Sequence, residues 1–369
     1  MKEINTRCGE ASTSVSQPIH YNSIDGLRAL SCLGIIIMHV NGNSSYQLQG
    51  NYINDTVLPS FTWLVYLFLI ISGFGMCAGY LNKFQNSSVD LESFYKRRYA
   101  KILPFFGLLL IIALFTEHSL NAVYEASVEV FMMHGFLPNN SVSVVGVCWT
   151  LGVIFVFYLL FPAFSVLMKT KKRAWISFLI SLWISFVCNQ YFFTDKFVVD
   201  KFNPRTSFIY CIPLFIGGGI IYLYRDKIKA FCSKFRWIAL SICILSIILW
   251  YVIPIANTTI RNIESIVLFC FLLSYAIGVD SKFLSNKLMK FLSGISMEMY
   301  LAHMVIFRII EKANLLYLFG NSGIGGWLSL ITAFILTVIV LIIFIQCYKF
   351  AFKFVKKHFP KRKSSDITN

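Results

Sequence analysis

Between Gly325 and Cys347 the chain runs through twenty-three residues without one charged side chain. A helix of that length crosses the roughly 30 Å hydrocarbon layer of a bilayer. In lipid, a single segment can satisfy its own backbone only as a helix. This stretch belongs to a run at approximately 325–350. Nine more apolar runs precede it, at approximately 25–43, 57–81, 102–118, 145–168, 174–193, 207–224, 235–254, 262–280 and 289–310. Hydrophobic residues make up 57% of the chain and charged residues 14%, against about 25% charged in soluble domains. The expected fold is an all-α polytopic membrane protein, a bundle of about ten transmembrane helices. An eleventh stretch, near 121–137, carries Glu125, Glu129 and His134. It reads as an amphipathic surface or re-entrant helix.

The net charge is +16. In a soluble protein that balance points to nucleic acid; here the basic residues lie between apolar runs, where topology accounts for them. With the N-terminus in the cytoplasm, 26 of the 33 basic residues fall on that side. The outer connections then hold only Lys196, Lys201, Arg205, Arg261 and Lys312, while Arg28 and Arg308 fall within spans. Both termini are therefore expected to be cytoplasmic, in a multi-pass protein of the cytoplasmic (inner) membrane. Residues 1–22 form a polar segment without an apolar core or cleavage site, so the first span is expected to act as an uncleaved insertion signal. Residues 353–369 read as a basic tail attracted to anionic lipid. The ten cysteines contain no CxxC pair and no Cys/His cluster; neither a disulfide framework nor a metal site is expected.

Five stretches carry polar groups into the apolar runs. In Tyr21–Val40, Arg28 and His39 are eleven positions apart, which places them on one helical face and about 16 Å apart along the axis. Asp25 shares that broad face. Arg28 reads as a snorkelling anchor or a working cation; His39 reads as an interhelical hydrogen-bond partner or a general base. Phe94–Pro104 holds Arg97, Arg98 and Lys101, a basic surface suited to phosphate. Leu69–Gly75 offers small residues for close helix approach, with Ser72 able to meet a ligand. Cys148–Pro162 brings Trp149, Thr150 and Tyr158. Leu292–Phe307 places Glu298 and His303 within a span, where ionisable groups usually have a use.

Together these stretches resemble the acyltransferase-3 family of membrane O-acyltransferases, over about residues 20–350. The family opens its first span with a pattern like IDGLRA and a histidine beyond it. Here these are Ile24–Ala29 and His39. Its SGF matches Ser72–Phe74, its RRxxRIxP matches Arg97, Arg98, Lys101, Ile102 and Pro104 with lysine for the last arginine, and its YLxH matches Tyr300, Leu301 and His303. In the fourth span the family usually reads like WSLSVExQFYLLFP, whereas this chain has Ile154 at the glutamate position. The resemblance implies an acyltransferase-3 transmembrane domain over 23–352. It would transfer an acyl group, most often acetyl from acetyl-CoA, to a hydroxyl of a carbohydrate or lipid-linked glycan. His39 is the expected catalytic residue, supported by Asp25 and Arg28. Arg97, Arg98 and Lys101 are expected at the acyl-CoA donor, and Ser72, Trp149, Tyr158, Glu298 and His303 at the substrate. Ile154 leaves three readings open: a shifted acceptor class, a carboxylate moved to Glu298, or an inactive member. A glycan or lipid transporter with His39 and Glu298 on its pathway is the other class, although no inverted repeat is evident.

Overall fold

The computed structural model describes residues 20–358, apart from 133, 137–143, 199–201, 254 and 256–257. Most of the N-terminal segment and residues 359–369 of the tail lie outside the described residues. The chain forms a succession of helices. They are α1 (Asn22–Gly42), α2 (Ile53–Gln85), α3 (Leu91–Glu117), α4 (Leu120–Val130), α5 (Trp149–Leu159) and α6 (Phe161–Leu167). They continue with α7 (Lys171–Tyr191), α8 (Phe208–Lys234), α9 (Arg236–Val252), α10 (Thr258–Gly278), α11 (Lys287–Lys312) and α12 (Gly323–His358).

Nine of the ten apolar runs fall on one helix each, and the run at 145–168 is divided between α5 and α6. Among the described residues, eight helices are long and apolar enough to cross a membrane, and nine if α5 and α6 form one broken span. The expected count of ten also needs α9. Its 17 residues reach about 25 Å, just under the hydrocarbon thickness. At 11 residues, α4 is too short to cross. α12 continues to His358, so part of the expected basic tail is helical.

Local chemistry sets the helix ends. Asp90, Ser119, Thr170 and Asn286 each accept a backbone N–H from the first turn of α3, α4, α7 and α11, satisfying donors that a helix start leaves unpaired. The chain bends by 64° between α5 and α6. Pro162 has no N–H to give, and its ring crowds the carbonyl four residues back, which breaks the helix there. The Leu159 carbonyl stranded at the break is recovered by the Tyr95 hydroxyl of α3, at 2.9 Å.

The buried residues form two main apolar clusters. One joins α1, α3, α5, α11 and α12; the other joins α2, α5, α6, α8 and α10. α8 lies along α2, α7 and α10, and α1 lies along α11 and α2. The contact of α2 with α8 runs through glycine. A methyl group on Gly218 would strike the Ile70 carbonyl, and one on Gly73 would strike the Phe215 backbone. Small residues let two backbones approach this closely. Outward faces stay apolar, as with Leu179 and Trp183 on α7, 61% and 64% exposed. Such surface suits lipid rather than water; this is a multi-pass membrane protein. Replacing Gly218 by Leu should lower the thermal midpoint in detergent by several degrees through overpacking. Gly107→Ala on α3, where an added methyl meets nothing within 4 Å, should leave the midpoint unchanged or raise it.

Candidate active site

A cavity of about 700 Å³ opens at the junction of α1, α2, α3, α5 and α11. Its mouth lies at the helix ends that carry the basic residues. Asp25 and Arg28 of α1 face it, with Ser72 and Gly75 of α2, Arg98 and Lys101 of α3, Tyr158 of α5, and Lys290, Ser293 and Glu298 of α11. The deep end is formed by Val65, Phe68, Thr150, Leu151 and Tyr300. From Ser293 to Tyr300 the wall of α11 descends about 10 Å.

The two carboxylates in this wall are already engaged. Asp25 accepts the Ser293 hydroxyl at 2.9 Å and lies 2.8 Å from the His20 ring nitrogen. Glu298 pairs with Lys349 of α12 at 3.4 Å. Arg28, Arg98, Lys101 and Lys290 have no carboxylate within ion-pair distance among the described residues. The wall therefore carries surplus positive charge.

Arg98 shows how a cation is kept here. Its guanidinium lies 4.6 Å from the centre of the Tyr80 ring, 5.3 Å from Tyr158 and 5.4 Å from Phe94. Aromatic faces replace part of its lost hydration. Its Nε is buried without a hydrogen-bond partner among the described residues, an arrangement that an incoming anion would complete. Arg28 reaches toward α2, where a methyl on Gly75 would lie 3.9 Å from its Nη2. In the SGFG stretch, then, Gly73 serves the approach of α8 while Ser72 and Gly75 leave room for a ligand.

The expected site residues divide. Asp25, Arg28, Ser72, Arg98, Lys101, Tyr158 and Glu298 line the cavity together. Arg97 is exposed and lines a separate recess with Tyr80, Lys83 and Asp90; one residue of helix turns it about 100° from Arg98. Trp149 packs between the two apolar clusters. The lining does not reach His39 or His303, which form their own pair beyond the deep end. Their ring centres are 5.0 Å apart, and the Tyr300 ring lies 5.9 Å from His303. Ile154 does face the cavity, so an aliphatic wall stands at the family's glutamate position.

Sequence reasoning missed Lys290 and Ser293, which line the cavity. The signal at Lys290 is a cation at a span boundary, which topology alone also explains. Arg205 precedes α8, donates to the Thr62 hydroxyl at 3.0 Å and lies 5.4 Å from the centre of the Trp63 ring.

Residues 21–346 match the acyltransferase domain family. The chain belongs to the acyltransferase-3 family. It is 26% identical over 342 residues to the O-acetyltransferase OatA of Staphylococcus aureus, in strains NCTC 8325 / PS 47 and COL. The aligned region covers 82% of this chain and 53% of each relative, so the chain spans about half the length of the curated relatives it matches. No solved structure matches it.

Outside the spanning helices, a buried polar group braces this acyltransferase fold. Glu129 of α4 accepts the Val144 and Val145 N–H groups at 2.8 and 3.4 Å. The His134 ring donates to the Cys148 carbonyl at 3.1 Å and rests on Gly152, where a methyl would lie 2.6 Å from it. This braces the start of α5, which supplies Thr150, Leu151 and Ile154 to the cavity. Burial pushes the Glu129 carboxyl up to about 7 from 4.5, against the pull of its hydrogen bonds. A carboxyl that binds its proton more tightly when folded adds stability below the unfolded value and loses it as pH rises through the folded one. The thermal midpoint should therefore fall between pH 5 and pH 8. Glu129→Gln should flatten that slope and raise the pH 8 midpoint by roughly 3–6 °C, as read by thermal shift in detergent.

Proposed function

We propose that the chain is an integral membrane O-acyltransferase that moves an acetyl group from acetyl-CoA to a hydroxyl of a carbohydrate or lipid-linked glycan. One observation carries this reading. A cavity with surplus cations in its wall runs to an end formed by Val65, Phe68, Thr150, Leu151 and Tyr300, and the histidine pair sits beyond that end. The name of the relatives, O-acetyltransferase, supports the same reaction class.

The basic helix ends are assigned to the cytoplasm by the positive-inside rule. Acetyl-CoA enters there as a polyanion. Arg98, Arg28 and Lys101 receive its phosphates, Arg98 offering a buried Nε and a planar donor set. The pantetheine arm follows Ser72 and Gly75 inward, and the thioester reaches Phe68, Thr150 and Tyr300. His39, about 16 Å beyond Arg28 along α1, then serves the acceptor side. It either takes the proton of the acceptor hydroxyl or carries the acetyl group between donor and acceptor. Asp25, held by Ser293, fixes α1 and thereby aims His39. Ile154 makes the central wall apolar, and Glu298 supplies the carboxylate nearest the donor from α11.

A cell-free assay with acetyl-labelled acetyl-CoA reads transfer into the glycan fraction. Purified protein should transfer label, and His39→Ala should abolish it; transfer by that variant at the parental rate sinks the assignment. Arg98→Ala should raise the KM for acetyl-CoA about tenfold, the loss of a charge-assisted contact. An unchanged KM removes Arg98 from the donor site.

A further inference from the structure

His303 holds one buried nitrogen that no described residue satisfies. The residue lies in α11 and is 1% exposed. Its Nδ1 is 2.6 Å from the Tyr300 carbonyl oxygen. A carbonyl can only accept, so Nδ1 carries a proton. In the neutral ring, Nε2 is then the acceptor, and it is buried without a hydrogen-bond partner among the described residues. A buried acceptor left empty costs about 1–3 kcal/mol, and it is usually kept where it has a use. The ring beside it is His39, with centres 5.0 Å apart and planes inclined by 43°.

We propose that His303 is the positioning partner of His39. Its Nε2 accepts the N–H of the His39 ring and so determines which His39 nitrogen presents a lone pair to the acceptor hydroxyl. This rests on the reading of His39 as the base of the reaction. A turn of the His39 ring closes the contact. His303 then does for His39 what a carboxylate does for the histidine of a hydrolase triad, holding tautomer and orientation. A neutral imidazole suits this depth, because it brings no charge into an apolar bundle.

The step balances without a co-reactant. The acceptor oxygen attacks the thioester carbonyl carbon, and its proton passes to the free His39 nitrogen. The carbon–sulfur bond breaks, and the sulfur leaves as the thiol after taking that proton back. Throughout, the other His39 nitrogen stays donated to His303, which gains and loses nothing.

Two variants separate this role from packing. His303→Asn keeps a donor near the Tyr300 carbonyl but presents nothing at the Nε2 position, whereas His303→Gln reaches that position with an amide acceptor. The Asn variant should lower kcat about 100-fold, with the KM for acetyl-CoA within about threefold of the parent. The Gln variant should recover to within about tenfold, with the acid limb of its kcat–pH profile displaced. Equal kcat for Asn and Gln overturns the proposal, as does a parental kcat and pH profile in Asn. If His39→Ala keeps the parental rate, the underlying reading falls instead; if His39→Ala is inactive while both His303 variants are parental, only this inference falls. Imidazole 15N spectra of the parent protein supply a check free of variant stability, with the His39 signals assigned by their loss in His39→Ala. A single His39 tautomer is expected, and an even mixture of tautomers overturns the proposal.

Discussion

The seating of α1 on α11 sets where every other part of the site can be. The two helices run side by side in the same direction, and three contacts recur along α1 at seven-residue intervals. Asp25 receives the Ser293 hydroxyl, the Cys32 thiol donates to the Ser296 carbonyl at 3.4 Å, and the His39 ring meets His303. Seven residues are almost two turns, so positions 25, 32 and 39 form one stripe. Ser296 and His303 repeat the same interval on the partner. A slip of one residue would carry His39 about 100° away from His303 and leave Asp25 without the serine.

The bilayer makes such pairings compulsory, since a polar group in hydrocarbon has no water to fall back on. Asp25 and Glu298 meet this condition within the protein, through Ser293 and Lys349. The cations of the cavity meet it only in part: Arg98 has three aromatic rings and an empty Nε. This imbalance gives the cavity its chemistry. A wall whose carboxylates are spent and whose guanidinium groups are not is prepared for an anion. The aliphatic Ile154 keeps further negative charge out of that wall.

Much of this was legible in the chain. Charge-free runs of twenty residues leave few choices, and the shared face of Asp25, Arg28 and His39 follows from helical periodicity. The break at Pro162 is not legible, because an apolar run of the right length hides a proline near its end. Arg97 and Arg98 look equivalent in sequence, yet 100° of rotation sends them to different recesses. The pairing of His39 with His303 joins residues 264 positions apart, and no local pattern reports a contact of that range. The topology count absorbs Lys290. That rule explains why a loop is basic, but it is silent on which of the cations turn inward.

The cavity ends at Phe68, Thr150 and Tyr300, partway through the bundle. A recess open to one side thins the insulating layer at that point. The membrane potential then drops mostly across the remaining stretch, the one that holds the two histidines. Moving one charge through the full potential is worth about 2.3 kcal/mol per 100 mV, and a focused field delivers much of that over a few residues. Under the proposed reading of His39 as the base, its proton movements fall in the steepest part of the field, and the energised state of the membrane becomes part of the local environment of the site.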